Sequence, residues 1–107
     1  MATPQPDFLT FLTEELASIG DITSHRFFGG WQLRSEDVQF AIVMKGTLFF
    51  KVEGALQEEL EATGSRPFSY TKSGEQVSVK KYMTAPEDAL DDLDLLRNWT
   101  RRVIAAL

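Results

Sequence analysis

Residues 26–52, RFFGGWQLRSEDVQFAIVMKGTLFFKV, constrain the fold more than any other stretch, because strand signals crowd there at strand-length intervals. Val38, Phe40, Ile42 and Met44 share one parity, and Leu48, Phe50 and Val52 form another such run. Two half-buried neighbouring strands produce this alternation, since successive side chains point to opposite faces. Lys45-Gly46 between the runs predicts a primed two-residue hairpin, where Gly visits positive φ without steric cost. Upstream, Gly29-Gly30 interrupts a run that starts near residue 23. The pair predicts a bulge, a bend or a place where another backbone comes close. With Ser35-Glu36-Asp37 as the next turn, the expectation is an antiparallel meander of three strands. These run over 23–28 resumed through 31–33, over 38–44 and over 47–52.

Helical periodicity flanks this sheet. Phe8, Leu9, Phe11, Leu12, Leu16 and Ile19 fall within one arc of a helix over 7–19, with Gly20 expected as its left-handed cap. Glu15 projects inside that arc, so it must reach solvent or a cation, because an unpaired buried carboxylate is costly. Leu56 and Leu60, four apart, predict a short helix over 55–63 that ends at Gly64 and crosses the sheet edge. A second hairpin follows, over 67–71 and 76–82 around Lys72-Ser73-Gly74-Glu75, with Val77 and Val79 toward the core and Pro67 at a strand start or edge. Thr84-Ala85-Pro86-Glu87 matches a capping box for one long final helix, and Asp88, Asp91, Asp92 and Asp94 suit the positive end of its dipole. Its apolar stripe runs through Ala89, Leu93, Leu96, Thr100, Val103 and Leu107, widened by Trp99 and Ile104. The fold class is therefore α+β in a single domain over 1–107, with residues 1–5 expected to be flexible.

Chemistry is sparse. The absence of cysteine removes disulfides, thiolate catalysis and Cys-type zinc sites together. His25 is the one histidine, and Ser24 beside it on a strand points to the opposite face, so no local Ser-His dyad forms. Gly29-Gly30 lacks dinucleotide-fingerprint spacing, and Lys45-Gly46-Thr47 is not a phosphate-binding loop. The acidic run 88–94 lacks a calcium-loop pattern and reads as a solvated helix face. No catalytic, metal or cofactor residue is expected. A net charge of -5 opposes broad attraction to nucleic acid, although Arg66, Lys72, Lys80 and Lys81 fall close together in sequence. No apolar run approaches the ~20 residues of a membrane helix, and the beginning MATPQPDFLTFLTEEL lacks an export signal, so a soluble cytoplasmic protein is expected.

Taken in order, HRFFGGWQL, FAIVMKGTLFFKV, PFSY, KKYM and APEDAL followed by a Trp-containing helix resemble the N-terminal domain of the TfoX/Sxy family over about 8–107. Trp31 stands where that family usually has a small residue or Tyr, and Lys45-Gly46 replaces a usual Asp-Gly turn. The resemblance implies the order α-β-β-β-α-β-β-α, a two-layer antiparallel fold similar to type III secretion chaperones, with no catalytic residues to carry over. It also implies a bacterial regulator. The family's best-known members act in natural competence with the cyclic-AMP receptor protein at promoters and carry a second, helical C-terminal domain. This sequence stops before such a domain, so a stand-alone unit is expected.

Function divides into two expectations. One is a non-enzymatic regulatory or adaptor protein that works by contact with a protein partner such as the transcription machinery. The other is a small-ligand or enzyme module reusing the fold, which a deep pocket lined by Glu15, His25 or Tyr70 would favour. Direct nucleic-acid binding and membrane association are not expected. The expected interaction surface comprises Phe28, Gly29, Gly30, Trp31, Phe49, Tyr70, Lys72 and Lys80. A homodimer through a helix-free sheet face or an edge strand would expose Phe49 and Trp31 there. The competing arrangement folds Trp31 into the core and leaves Phe49 an isolated surface aromatic.

Overall fold

A computed structural model describes residues 7–107. The expected flexible segment 1–5 lies outside them. The chain runs α1 Asp7–Glu15, β1 Ile22–Phe27, β2 Gly30–Ser35, β3 Val38–Met44, β4 Thr47–Lys51, α2 Gly54–Ala62, β5 Pro67–Lys72, β6 Glu75–Thr84, α3 Glu87–Asp91 and α4 Leu93–Ala105. The architecture is α+β. One antiparallel six-stranded sheet has the order β1-β2-β3-β4-β6-β5, and the helices pack on one of its faces.

Four two-residue turns build the hairpins: Phe28-Gly29, Glu36-Asp37, Lys45-Gly46 and Ser73-Gly74, with both residues of each at positive φ. That is the backbone signature of the primed turn whose twist matches that of its strands. The Lys45-Gly46 turn, the turn at 35–37 and the place of the second hairpin are as the sequence predicted, but Lys72 pairs with Glu75, so that hairpin's loop is Ser73-Gly74 and not the four residues expected. Gly29-Gly30 differs in part. The pair does not bend one strand. Phe28-Gly29 reverses the chain, Phe27 pairs with Gly30, and the meander has four strands. The third alternative does hold at Gly30, which is buried and where a Cβ would lie 2.3 Å from Met44 Sδ and 2.4 Å from the Val43 carbonyl oxygen.

Strand parity breaks where the sequence alone showed it continuous. Leu33 pairs with Ala41 and Arg34 with Gln39, so Phe40 is the extra residue of a bulge. Phe40 and Ala41 therefore both reach the main core, with Val43, while Ile42 and Met44 belong to the opposite face. Leu48, Phe50 and Val52 share the helix-covered face as predicted.

Leu9, Leu12 and Leu16 bring the first helical segment onto that face, and α2 adds Leu60, α3 Ala89 and α4 Leu96, Trp99 and Val103. Leu107 is exposed and adds nothing to the stripe. Glu15 finds its cation: Arg97 on α4 donates to its carboxylate at 3.0 Å and to its backbone carbonyl at 3.3 Å. Helix ends depart from expectation at three places. The α1 helix ends at Glu15, and Gly20 does not take positive φ; its missing Cβ instead admits the Ser35 hydroxyl, 3.2 Å from where that atom would stand. The capping box does not form, because Thr84 ends β6 and its hydroxyl accepts from the Arg66 amide at 3.0 Å. The final helix is two helices. Asp92 is extended between them, and its carboxylate accepts from the Asp94 and Leu95 amides to cap α4. The end of α2 is as predicted: Gly64, at positive φ, donates to Glu61 and Ser65 donates to Leu60, the paired bonds of a Schellman cap.

Candidate functional site

The face away from the helices carries a second apolar cluster. Ile42, Phe49 and Tyr82 are buried there, with Phe27, Met44, Phe68 and Val79 packed around them. Among the described residues no helix covers it, and the sheet itself supplies the cover. The Phe27 and Tyr82 rings are 6.3 Å apart, yet β1 and β6 stand four places apart in the sheet. In a flat sheet those strands would lie about 19 Å apart, more than two side chains and that gap can span. The sheet therefore curls, with this face concave.

The β5–β6 hairpin closes the other side. Pro67 pairs with Met83 but Phe68 pairs with Val79, so one step along β5 matches four along β6. Beyond that break β6 gains a second neighbour: Tyr82, Met83 and Thr84 pair with β4, while Met83 still pairs with Pro67. The discontinuity frees the hairpin to set Phe68 edge-on against Phe49 at 5.4 Å. Val79 thus packs against buried residues as period two predicted, and they are those of this second cluster.

Two runs of aromatic contacts, Phe28–Phe27–Tyr82 and Tyr70–Phe68–Phe49, flank the concave face, and each surfaces at its outer end. Phe28 stands edge-on to Phe27 at 4.9 Å and is 86% exposed; Tyr70 lies 6.3 Å from Phe68 and is 44% exposed. Phe28 is unusual in a further respect. It sits at φ 43, where a bulky side chain is strained, and it buries almost nothing in return. Below the face, the Tyr82 hydroxyl donates to Gln39 Oε1 at 3.1 Å, and Gln39 Nε2 is buried with no partner among the described residues.

Between Tyr70 and the β3–β4 turn lies an open groove of about 920 Å³. Met44, Lys45 and Thr47 form one wall, and the chain from Arg66 to Thr71 forms the other. Tyr70 lines it, whereas Glu15 and His25 do not. His25 meets Thr23 Oγ1 at 3.1 Å. Among the described residues no cluster of His, Asp and Glu is placed to hold a metal.

The expected surface residues separate. Phe28, Gly29, Tyr70, Lys72 and Lys80 are exposed, and Phe28 and Tyr70 mark the ends of the concave face. Gly30 is buried as a point of close approach. Trp31 is half-buried on the helix side, beneath the Arg26 guanidinium at 5.1 Å. Phe49, only 9% exposed, is neither the exposed aromatic nor the isolated one that the sequence suggested. Sequence reasoning missed Phe27, Phe68 and Tyr82 as members of this face. Phe27 shares parity with Trp31 on paper, but the two-residue turn places it opposite Gly30, on the other side of the sheet.

The model of the TfoX N-terminal domain matches residues 14–107, from the last two residues of α1 to the end of the chain. The chain belongs to this family. The match includes every strand, the hairpin break and both glycines at 29–30, so the curled sheet and its concave face lie within the family's domain. No curated protein matches the chain. Among the described residues no helix is long and apolar enough to cross a membrane.

Proposed function

We propose that this TfoX N-terminal domain is a non-enzymatic regulatory or adaptor protein that works in the bacterial cytoplasm by protein contact through its concave aromatic face. Phe28 carries the reading. An aromatic side chain held at positive φ and exposed to water costs conformational energy and contributes little to the core, and such residues gather where a surface is used. The rest of the aromatic cluster supports Phe28 from below, so a partner would meet a preorganised surface, which lowers the ordering cost of binding. The partner we propose is a component of the transcription machinery, in keeping with the regulatory role of competence proteins that share this domain. A homodimer through the same face is the self-associating form of the proposal, with Phe28 in the place first given to Phe49.

Phe28→Asn tests this cleanly. Asparagine tolerates positive φ better than phenylalanine, so the variant should fold at least as stably as the parent while losing the aromatic contact. Affinity capture from native cytoplasm should recover a partner with the parent and at least about tenfold less with Phe28→Asn, the loss expected of an aromatic anchor. Equal recovery by both proteins, or no partner above background with the parent, overturns the proposal. The groove beside Tyr70 favours the second reading, a small-ligand or enzyme module, since its volume falls in the range of ligand sites. Turnover on a small-molecule panel would decide for that alternative.

A further inference from the structure

The groove has a chemistry that the aromatic face does not share. None of the described residues that line it is acidic, although the chain carries 16 Asp and Glu against 11 Lys and Arg. Lys45 and Arg66 stand in its walls, and neither pairs with a carboxylate among the described residues. Hydroxyls of Thr47, Ser69, Thr71 and Ser78 also line it, and the Gln76 amide donates to Ser69 Oγ at 2.9 Å.

Its shape follows a strand. Every residue from Arg66 to Thr71 lines the groove, so both faces of β5 contribute and the space runs along the strand's edge. Among the described residues that edge is free, because β5 ends the sheet and pairs with β6 alone. Edge strands are commonly guarded by Pro and Lys, and here Pro67 and Lys72 bracket Phe68 to Thr71 and leave the middle open.

We infer that this groove receives an acidic, extended segment of a partner protein, which adds beside β5 as a further strand. The inference rests on the adaptor reading and supplies the partner's chemistry. Main-chain hydrogen bonds to the β5 edge hold the segment, an apolar side chain packs on Phe68 and Tyr70, and carboxylates meet Lys45 and Arg66. The six residues of β5 span about 20 Å, a length suited to a peptide strand. A second copy of this chain is a poor occupant. Its acidic runs lie on α2, α3 and the start of α4, where the backbone is already bonded and not extended.

The test uses a fluorescein-labelled octapeptide of alternating Phe and Glu, its Phe/Lys counterpart and a version methylated at alternate backbone nitrogens. Polarisation at low salt should show the acidic peptide binding at least about tenfold more tightly than the lysine peptide, as charge complementarity requires. Methylation should weaken it by about tenfold, since it removes the main-chain donors on which strand addition depends. Lys45→Glu with Arg66→Glu should weaken it by at least about tenfold, whereas Arg101→Glu on the exposed face of α4 should change it less than about twofold. Amide shifts should centre on Phe68 to Thr71. Equal binding of the acidic and lysine peptides, shifts centred elsewhere, or retention of an oligonucleotide or inorganic phosphate in the groove while the acidic peptide does not bind would each overturn the inference. If partner capture depends on Phe28 while the peptide ignores β5, the adaptor reading stands and this inference falls.

Discussion

Gly29 and Gly30 are adjacent and chemically identical, yet the structure asks different things of them, and alanine at each position separates the two demands. At Gly30 an added Cβ would stand 2.3 Å from Met44 Sδ and 2.4 Å from the Val43 carbonyl oxygen, where ordinary contact begins at 3.4 Å. The thioether can swing aside. The carbonyl belongs to the backbone of β3, so relief requires β2 and β3 to part by roughly 1 Å, on the scale of a van der Waals overlap. Overpacking of this kind costs about 1–3 kcal/mol, and weakening one ladder hydrogen bond adds about 1 kcal/mol. The expected loss for Gly30→Ala is thus about 2–4 kcal/mol, which in a domain of this size lowers Tm by roughly 10–25 °C. At Gly29 a Cβ meets nothing within 4 Å, and only the φ of 83 opposes it. That strain is worth about 1–2 kcal/mol. Urea and thermal unfolding of both variants measure the difference. Adding Met44→Ala to Gly30→Ala should recover less than half of the loss, because the carbonyl remains. A Gly29→Ala variant as unstable as Gly30→Ala, or full rescue by Met44→Ala, would refute the reasoning.

Phe49→Ala should destabilise by about 3–5 kcal/mol, as loss of a buried aromatic does; a urea midpoint near that of the parent would mean that Phe68 and Phe49 do not pack as described. Asp92→Ala should cost about 1 kcal/mol through loss of the cap on α4, seen as faster amide exchange at Asp94 and Leu95; unchanged exchange there would remove the cap from the account. The Arg102 guanidinium donates to Glu59 and holds its carboxyl below the usual glutamate range, against a smaller opposing effect of desolvation. Because the folded value lies below the unfolded one, the stabilisation is complete above about pH 4.3 and is lost as pH falls through the folded value. Glu59→Gln should therefore flatten the acid limb of stability against pH, and an acid limb identical to the parent's would contradict this.

Local chemistry determined much of the fold. Lys45-Gly46, Ser73-Gly74 and the turn at 35–37 mark hairpins because two-residue loops demand backbone angles that few residues accept, and that demand is readable without knowing what the strands pack against. Leu48, Phe50 and Val52, and Leu9, Leu12 and Leu16, likewise announce their buried sides through periodicity alone. The long acidic helix was legible as helix but not as two, since Asp92 as an interior residue and Asp92 as a cap look alike until its carboxylate meets the Asp94 and Leu95 amides. The concave face was decided by tertiary structure. Parity assigns sides only along an unbroken strand. The bulge at Phe40 and the turn at Phe28-Gly29 each shift the count by one, sending Ile42 and Phe27 to the side opposite the one parity suggested. Phe49 is buried for a reason no local pattern encodes: its cover, Phe68, lies on the edge strand two places along the sheet, and the two rings meet because the pairing of β5 with β6 shifts register between Pro67 and Phe68.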